Sequence, residues 1–301
     1  MIQMIDVRDA VMQFDGKNAL DGITLSIPEG CAYGLLGSNG AGKSTLLRVF
    51  SGIYRLNSGD VKIDGEEIYD NAALKERIFF INDETIQFNN MTLLDMKNYY
   101  KSFYGSFSEE LWQKLNATLN LPQNKRLNTF SKGMKRQAVV ICGIACRTPY
   151  LFLDEAFDGL DPTMRIIVKQ MLIDAMMDTG LTVIFSSHNL GEIDEFCDRV
   201  GLLHAGKVVF DRELDSVKGS VFKIQTAFDA PITREQLSGV DILHIEANGS
   251  VTHLIARGDR EKVREAVMKL SPKIYDEVPL SLEEIFIYEM EVLGYDGSKL
   301  G

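Results

Sequence analysis

The chain lacks any run of apolar residues long enough to cross a bilayer. Its longest apolar window, Ala138 to Cys146, is well short of the roughly 20 residues that a membrane-spanning helix needs. The N-terminal segment Met1 to Asp6 is neither basic nor followed by a long apolar region, so no secretory signal peptide is expected. These absences predict a chain that is soluble by itself.

Cysteine is scarce, and the four residues present are Cys31, Cys142, Cys146 and Cys197. Cys142 and Cys146 are spaced by one helical turn, which would allow a metal site on a helix face. However, no cluster of histidines or cysteines lies near them in sequence. Because all four lie in or beside apolar stretches, the pattern favours buried thiols in a reducing cytosol.

Basic residues are outnumbered by acidic ones, and the formal net charge is −11. A broad nucleic-acid surface takes its affinity from cations that neutralise phosphates, so this balance argues against such a surface but leaves room for a local basic patch. The 301 residues include 45% apolar and 25% charged side chains. That is enough for a sizeable core and for one large domain or up to two ordinary ones.

A glycine-rich segment, Gly37 to Thr45, follows the apolar run Cys31 to Leu36 and precedes a pair of leucines. A strand, such a loop and a helix together are the setting of a phosphate-binding P-loop. Glycines permit positive φ and let backbone N–H groups surround phosphate oxygens, while the helix adds the positive end of its dipole. We therefore predict a nucleoside triphosphate site rather than an ordinary glycine turn. Its candidate residues are Gly37, Ser38, Asn39, Gly40, Ala41, Gly42, Lys43, Ser44 and Thr45.

Within this loop, Lys43 would supply a positive charge to the β- and γ-phosphates, and the Ser44 hydroxyl would ligate Mg²⁺. Two later strand ends add further candidates. Asp154 and Glu155 follow the apolar strand that begins at Tyr150, which suits Asp154 to holding Mg²⁺ and Glu155 to deprotonating the attacking water. His188 follows another strand and could hydrogen-bond a γ-phosphate. The alternatives are a solvated acidic turn and a structural histidine.

A second anion-binding turn is predicted at Phe130 to Gln137, where Ser131 and Gly133 open a helix. The N-terminus of a helix attracts anions. Since one ATP already has a site at the P-loop, a second such turn in the same chain suggests that it serves an ATP held by another copy.

The order of strand and helix signals predicts an α/β fold with a mostly parallel sheet covered on both sides. From Gly219 onward the order β-α-β-β-α-β is the ferredoxin-like split pattern, and Ser281 with Glu284 is spaced as a capping box. We expect a first domain over 1–216, with a helical subdomain at about 90–147, and a second α+β domain over 217–301. The predicted strands of the first domain are 3–14, 23–27, 31–36, 61–63, 77–81, 150–153 and 181–186.

Five segments in this order, Gly37–Thr45, Ser131–Gln137, Tyr150–Glu155, Gly159–Asp161 and His188, together resemble the motifs of the ATP-binding cassette ATPases over residues 1 to about 215. The resemblance implies a P-loop ATPase fold with a mixed sheet and a helical subdomain, and it implies ATP and Mg²⁺ as cofactors. It also implies a head-to-tail dimer, with each ATP between the P-loop of one subunit and the signature turn of the other.

The resemblance assigns roles to single residues of this chain. Ser131 and Gly133 would carry the signature contact with the partner's ATP, and Asp161 would help to connect the two sites. Phe14 stands where the family has an aromatic side chain that stacks on adenine. An ordinary core phenylalanine is the alternative for Phe14.

The chain departs from the family pattern at several positions. Lys132 and Met134 replace the glycine and glutamine that are common in the signature. The glutamine expected after strand 77–81 is also replaced, and we align Asp83 with it as a possible Mg²⁺ ligand. Gln87 is not adopted for that role. We expect the permease to be a separate chain, since these 301 residues contain no permease sequence.

Aromatic residues are frequent just after Asp83, namely Phe88, Tyr99, Tyr100, Phe103, Tyr104 and Phe107. In the family this region receives a cytoplasmic helix of the permease. We expect Phe88, Met91 and Tyr100 to be partly exposed contacts, and the alternative is that these rings form helical core.

The resemblance implies the ATPase subunit of an exporter, acting as a homodimer with a separate permease at the cytoplasmic face of the plasma membrane and without nucleic acid. The C-terminal part, with Ser281–Phe286, is similar to accessory domains of exporter-type subunits. One alternative is a soluble cassette ATPase acting on a ribosome or a nucleic-acid machine. Another is a regulatory module that binds ATP without turnover.

Overall fold

The computed structural model describes residues 4–82, 90–229 and 232–292. Asp83 and Phe88, singled out above, lie outside these residues. The chain divides into two compact units, Met1–Asp211 and Arg212–Gly301. Each unit has a hydrophobic core of its own, and each is described separately.

The strands of the first unit form two sheets, and the last strand runs across the division between the units. The strands are β1 (Met4–Phe14), β2 (Lys17–Pro28), β3 (Ala32–Leu36), β4 (Ser58–Ile63), β5 (Glu66–Glu67), β6 (Ile78–Ile81), β7 (Tyr150–Asp154), β8 (Thr182–Ser187), β9 (Arg199–His204) and β10 (Lys207–Glu213). The helices are α1 (Lys43–Phe50), α2 (Ala72–Lys75), α3 (Leu93–Phe103), α4 (Glu109–Leu119), α5 (Lys132–Ala145), α6 (Pro162–Thr179) and α7 (Leu190–Phe196).

One sheet is antiparallel and has the strand order β2-β1-β4-β5. Asp15 and Gly16, both with positive φ, form the two-residue turn between β1 and β2. A turn at Asp64 and Gly65, both with positive φ, joins β4 to β5, where Lys62 pairs with Glu67. Short turns of this kind can connect only antiparallel neighbours.

The other sheet has the strand order β10-β9-β3-β8-β7-β6. In it β3 runs parallel to β8 and β9, and β7 runs parallel to β6 and β8. The strands β3, β7 and β8 are buried along their whole length, which suits the central strands of a parallel sheet. Their carboxyl ends therefore meet at one edge, and all three of the predicted phosphate and metal segments follow those ends.

The sheet architecture differs from the prediction in two respects. The order of elements predicted a mostly parallel sheet and the resemblance implied a mixed one, whereas the parallel and antiparallel strands lie in two separate sheets. The N-terminal hairpins are antiparallel because their short turns exclude a crossover. The strands β9 and β10, which extend the parallel sheet, were also missing from the prediction. They are joined at Ala205 and Gly206, both with positive φ.

The helices α3, α4 and α5 follow residue 90, where a helical subdomain was expected, and both α3 and α4 pack against α5. The start of α3 has the reciprocal bonds of a capping box between Thr92 and Asp95, and Ser108 caps α4. Trp112 of α4 is fully buried. The Lys97 ammonium lies 5.2 Å from the Trp112 ring centroid and 2.6 Å from a Glu109 oxygen.

The second unit contains one antiparallel sheet, with the strand order β12-β13-β11-β14. Its elements are α8 (Leu214–Ser220), β11 (Val221–Ala227), a 3-10 turn (Arg234–Leu237), β12 (Asp241–Asn248), β13 (Val251–Arg257), α9 (Arg260–Met268), β14 (Ile274–Val278) and α10 (Leu282–Val292). The core includes Phe222 and Ile224 of β11, Leu254 of β13 and Val263 of α9. The first helix of the predicted β-α-β-β-α-β order is a 3-10 turn, Arg234–Leu237, instead of an α-helix.

All four cysteines are buried free thiols, as predicted. Burial raises the pKa of the Cys142 thiol to about 12, so this thiol is not a reactive nucleophile. Within the residues described, no helix combines the length and apolar character needed to cross a membrane.

The ion pair between α3 and α4 gives a prediction on stability. Hydrogen bonds from Lys97 and then Lys101 lower the pKa of Glu109 from its ordinary 4.5 to about 2. Glu109→Gln leaves the buried Lys97 without its charged partner, and we expect a loss of roughly 1–2 kcal/mol at neutral pH, moderated because Glu109 reaches solvent. Urea unfolding, followed by the fluorescence of Trp112, the single tryptophan, measures the loss.

Because the pKa of Glu109 is lowered by folding, its contribution is complete above the ordinary value and disappears as the pH falls toward about 2. The difference between wild type and Glu109→Gln should therefore shrink below about pH 4.5. Glu110→Gln is the control, since Glu110 also lies in the first turn of α4. An equal loss in both variants would attribute the effect to the helix dipole and not to Lys97.

Candidate functional site

The glycine-rich loop leaves β3 at a place where a side chain would not fit. A β-carbon at Gly37 would lie 2.4 Å from the carbonyl oxygen of Leu203, and one at Gly42 would lie 2.6 Å from that of Ala19. Gly42 also has a φ of 109°, in the region that favours glycine. The loop is therefore held by close backbone contacts with β2 and β9.

Helix α1 begins directly at the end of this loop, and its N-cap residue is Gly42, which provides no side-chain cap. The first N–H groups of a helix have no partner within the helix, so this end is suited to accept an anion. Ser38, Asn39 and Gly40 stand at the partly or fully exposed tip of the loop, whereas Ala41 is buried. Thr45 lies in the first turn of α1.

Lys43 is buried, with 5% of its surface exposed, although it carries a positive charge. Its ammonium donates to the carbonyl oxygens of Gly37, at 2.6 Å, and Ser38, at 3.2 Å. Burial lowers the pKa of Lys43, and the nearby carboxylates of Glu155 and Asp154 act in the opposite direction. The loop therefore holds a desolvated cation on its inner side.

Asp154 is fully buried at the end of β7. Its Oδ1 accepts hydrogen bonds from Ser44 Oγ, at 3.0 Å, and from Ser186 Oγ, at 2.6 Å. A carboxylate and a hydroxyl within this distance are oxygen ligands of the kind that Mg²⁺ prefers. The donor set of Ser44 and Asp154 therefore fits the expected metal.

Glu155 and His188 lie at the same edge of the sheet. His188 Nδ1 is 3.4 Å from Glu155 Oε1, and both side chains are partly exposed. Glu155 has a φ of 47°, which is uncommon outside glycine, and its backbone N–H donates to Ser186 Oγ at 3.0 Å. The chain turns sharply here, and the carboxylate and the imidazole face each other.

Ser131 and Gly133 form the start of helix α5. Ser131 is the N-cap and accepts from the Met134 N–H at 3.1 Å. A β-carbon at Gly133 would lie 2.7 Å from the Gly159 carbonyl oxygen. The signature turn thus packs directly on the Gly159–Asp161 segment, where Asp161 caps helix α6 by accepting from the Met164 N–H.

Lys132 and Met134, the two residues that depart from the signature pattern, each have defined neighbours in the structure. The Lys132 methylene groups lie against Gly159, where an added β-carbon would come within 3.0–3.4 Å of them. Met134 and Phe130 line a cavity of about 470 Å³ together with Lys125 and Arg126. Neither substitution disturbs the helix start.

Phe14 ends β1 and is 41% exposed, with its ring edge-on to Tyr54 at a centroid distance of 5.4 Å. That exposure argues against the core alternative for Phe14. Met91 and Tyr100 are half-buried, and Tyr100 packs on Phe79 at 4.9 Å.

Two other rings of α3 are more accessible than Tyr100. Tyr99 is 39% exposed and Phe103 is 59% exposed, and their ring centroids are 4.8 Å apart. They form an exposed aromatic pair on the outer side of α3.

The described contacts connect the predicted residues into two groups. The first contains Lys43, Ser44, Asp154, Glu155 and His188, and the second contains Ser131, Gly133 and Asp161. Ser186, which the sequence analysis gave no role, belongs to the first group. Its hydroxyl bonds to Asp154 and to the Glu155 backbone, and only its place at the end of a strand could have indicated this.

Comparison with known proteins gives a consistent result. A sequence profile for the family described as ABC transporter matches residues 20–158. The ABC transporter ATP-binding protein YtrB of Bacillus subtilis (strain 168) is 31% identical over 94% of this chain and 97% of its own. The lantibiotic transport ATP-binding protein SrtF of Streptococcus pyogenes is 27% identical over 75% of this chain and 99% of its own. A solved ATP-binding subunit of an ABC transporter has a TM-score of 0.66 at 25% identity, over 72% of this chain and 92% of that chain.

Ser186 provides a test of the metal position. Ser186→Ala removes a hydrogen bond that orients Asp154, and partners of metal ligands typically contribute about ten- to a hundredfold to metal affinity. We expect nucleotide binding in the presence of Mg²⁺ to weaken by about that factor, while binding in the presence of a chelator stays unchanged. Titration with a fluorescent nucleotide measures both.

Ser51→Ala is the control for that test, because the Ser51 hydroxyl bonds to the Leu47 carbonyl at the far end of α1. If Ser186→Ala weakens nucleotide binding equally with and without Mg²⁺, the hydroxyl acts through the phosphate-binding loop and not through the metal.

Proposed function

This chain belongs to the family of ABC transporter ATPases, and from that premise we propose that it powers the export of a substrate through a separate transmembrane permease. ATP hydrolysis is the activity of the family's nucleotide-binding subunits. The observation that carries the assignment is the hydrogen bond from Ser44 to the buried Asp154, which joins the P-loop helix to the acidic strand end. The roles proposed for the phosphate-binding loop, the metal ligands and the general base are all placed relative to Ser44 and Asp154.

We infer that the loop Gly37–Thr45 holds the triphosphate. The position of Lys43 over the loop carbonyls supports this role, since a desolvated cation interacts more strongly with phosphate than a hydrated one. Ser44 and Asp154 would hold Mg²⁺, which when bound supplies positive charge to the β- and γ-phosphate oxygens. Asp83 is proposed as a third ligand on its sequence position alone, outside the described residues.

Glu155 is the proposed general base for the water that attacks the γ-phosphate. The carboxylate follows Asp154 directly, and the Ser186 hydroxyl holds its backbone N–H. His188, opposite Glu155, would donate a hydrogen bond to the γ-phosphate. Proton removal and charge stabilisation at such a site account for phosphoryl transfer.

We propose that two copies close on two ATP molecules, with Ser131 and Gly133 facing the partner's nucleotide and Asp161 connecting the sites. ABC ATPase subunits act as dimers with membrane permeases. The first turn of α5 contains no acidic residue, which supports an anion at that helix start. Every hydrolytic position is occupied by a competent residue, which favours a homodimer.

Phe14 would stack on adenine, and its exposure supports this.

A role in export is supported by the relatives. SrtF is named for lantibiotic transport, and no cargo follows from this chain itself.

The exposed pair Tyr99 and Phe103, with Met91 nearby in sequence, is the proposed contact with the permease, so the chain would sit at the cytoplasmic face of the membrane. The relatives are transporter subunits, so action on a ribosome or nucleic acid is not favoured.

For the second unit we propose a ferredoxin-like accessory domain over 217–301, following an ATPase domain over 1–216. The strand order β12-β13-β11-β14 supports the proposal, since it corresponds to the order 2-3-1-4 within the unit. The helix α9 after β13 fits the split β-α-β pattern. The first connection has only the 3-10 turn Arg234–Leu237 where that pattern has a helix.

The mechanism predicts that Glu155→Gln binds ATP but does not hydrolyse it. A dimer that closes on ATP and cannot reopen should then accumulate, and size-exclusion chromatography with Mg²⁺ and ATP measures it. Adding Lys43→Ala in the same background should abolish both nucleotide binding and the dimer. Normal turnover by Glu155→Gln would refute the base assignment.

Association with a permease is a separate prediction. Isolated from membranes in mild detergent, the chain should carry an integral membrane protein with it, and the double variant Tyr99→Ser/Phe103→Ser should lose that protein without losing basal ATPase activity. Met177→Ser is the control, because Met177 is 84% exposed on another helix, α6. Retention of the membrane protein by the double variant would exclude this surface, and a ribosomal partner would favour the alternative function.

A further inference from the structure

Arg165, on the first turns of α6, forms hydrogen bonds in two directions. Its Nε donates to the Leu160 carbonyl oxygen at 3.1 Å, and its Nη1 donates to Glu192 Oε1 at 2.9 Å. Leu160 lies in the loop before α6 and Glu192 lies on α7. A guanidinium has a rigid, planar set of donors, so this one side chain links the loop before α6 to α7.

Glu192 is buried, with 7% of its surface exposed. Its second oxygen, Oε2, accepts from the Ser187 hydroxyl at 2.7 Å. The same hydroxyl oxygen accepts from the Asn189 N–H at 2.9 Å. Ser187 and Asn189 are the residues on either side of His188, so Glu192 fixes the turn that presents the imidazole to Glu155.

The other end of this chain of contacts is the signature turn. Leu160 lies between Gly159, on which Gly133 packs, and Asp161, the cap of α6. A nucleotide that presses on the start of α5 therefore acts on the segment whose carbonyl Arg165 holds. The described contacts run without a break from Gly133 to His188.

We propose that Arg165 and Glu192 are positioning residues, which align His188 and Glu155 when the signature turn of the same subunit engages the partner's ATP. The inference rests on the proposed function, and it adds the physical connection within one subunit. Charge-assisted hydrogen bonds are shorter and stronger than neutral ones, and a carboxylate that is only 7% exposed loses much of its stabilisation when a partner is removed. The two side chains therefore set the geometry of the turn and touch neither substrate nor metal.

The test uses Arg165→Met and Glu192→Gln, singly and together, in the full-length protein. Each single variant should lower kcat by on the order of ten- to a hundredfold, because small displacements of catalytic groups have large effects. The KM for ATP should stay within about twofold, and ATP-dependent dimer formation in the Glu155→Gln background should be kept. The double variant should lose no more than either single one, since both break the same connection.

A neighbouring ion pair supplies the matched control. Lys169 and Glu195 join the same two helices at 2.6 Å, without contact to Leu160 or Ser187 in the described structure. Glu195→Gln should lower the melting temperature slightly and leave kcat unchanged. If Glu192→Gln also changes only the melting temperature, or if the losses from Arg165→Met and Glu192→Gln simply add, the proposal is overturned.

Ser187→Ala is a second variant that preserves the Arg165–Glu192 pair and removes the Ser187 hydroxyl, together with its bonds to Glu192 and to the Asn189 N–H. It should reproduce the loss in kcat, and normal kcat in this variant would also overturn the proposal. Failure of the proposed function has a different signature, because Glu155→Gln would then retain turnover whatever the outcome for Arg165 and Glu192.

Discussion

The buried carboxylate of Asp154 is the group on which the rest of the site depends. Taking a carboxylate out of water is costly unless hydrogen bonds satisfy it, and here Ser44 from α1 and Ser186 from β8 donate to the same oxygen. The P-loop helix and two strands are thereby fixed relative to one another. Ser186 then extends the arrangement by one residue, because its oxygen also accepts from the Glu155 N–H. The proposed base and the proposed metal ligand are therefore placed by one hydroxyl.

Close backbone contacts and buried charges both shape the site around Asp154. The close approach of Gly37 and Gly42 to neighbouring carbonyls leaves no room for side chains, so the loop can bring its amide groups near a ligand. Lys43 is buried among loop carbonyls, and desolvation lowers its pKa while Asp154 and Glu155 oppose that effect. The site thus holds opposite charges at short range before any ligand binds. The proposed Mg²⁺ would offset part of the negative charge that a bound triphosphate brings to this site.

The sequence predicts those parts of the molecule that local signals determine. The P-loop, the strand ending at Asp154 and the Ser281–Glu284 capping box, which the structure contains, each depend on a few consecutive residues. What could not be predicted depends on long-range pairing. The separate antiparallel sheet, the addition of β9 and β10, and the roles of Ser186 and Glu192 appear only when distant segments meet. Ser186 and Glu192 have no distinctive sequence signal, because the partners that define their roles, Asp154 and Arg165, lie 32 and 27 residues away.

The charge of Lys132 is electrostatically unfavourable in the single subunit and would become favourable in the proposed dimer. A cation in the first turn of a helix opposes the helix dipole, and α5 has no acidic residue there to offset it. The stem of Lys132 nevertheless packs on Gly159, so the side chain contributes to the contact between the signature turn and the loop before α6. In the proposed dimer the same charge would face the partner's phosphates, where it is favourable and dependent on salt. In such a dimer the unfavourable interaction would be offset only when nucleotide and partner are both present, which would make closure depend on ATP.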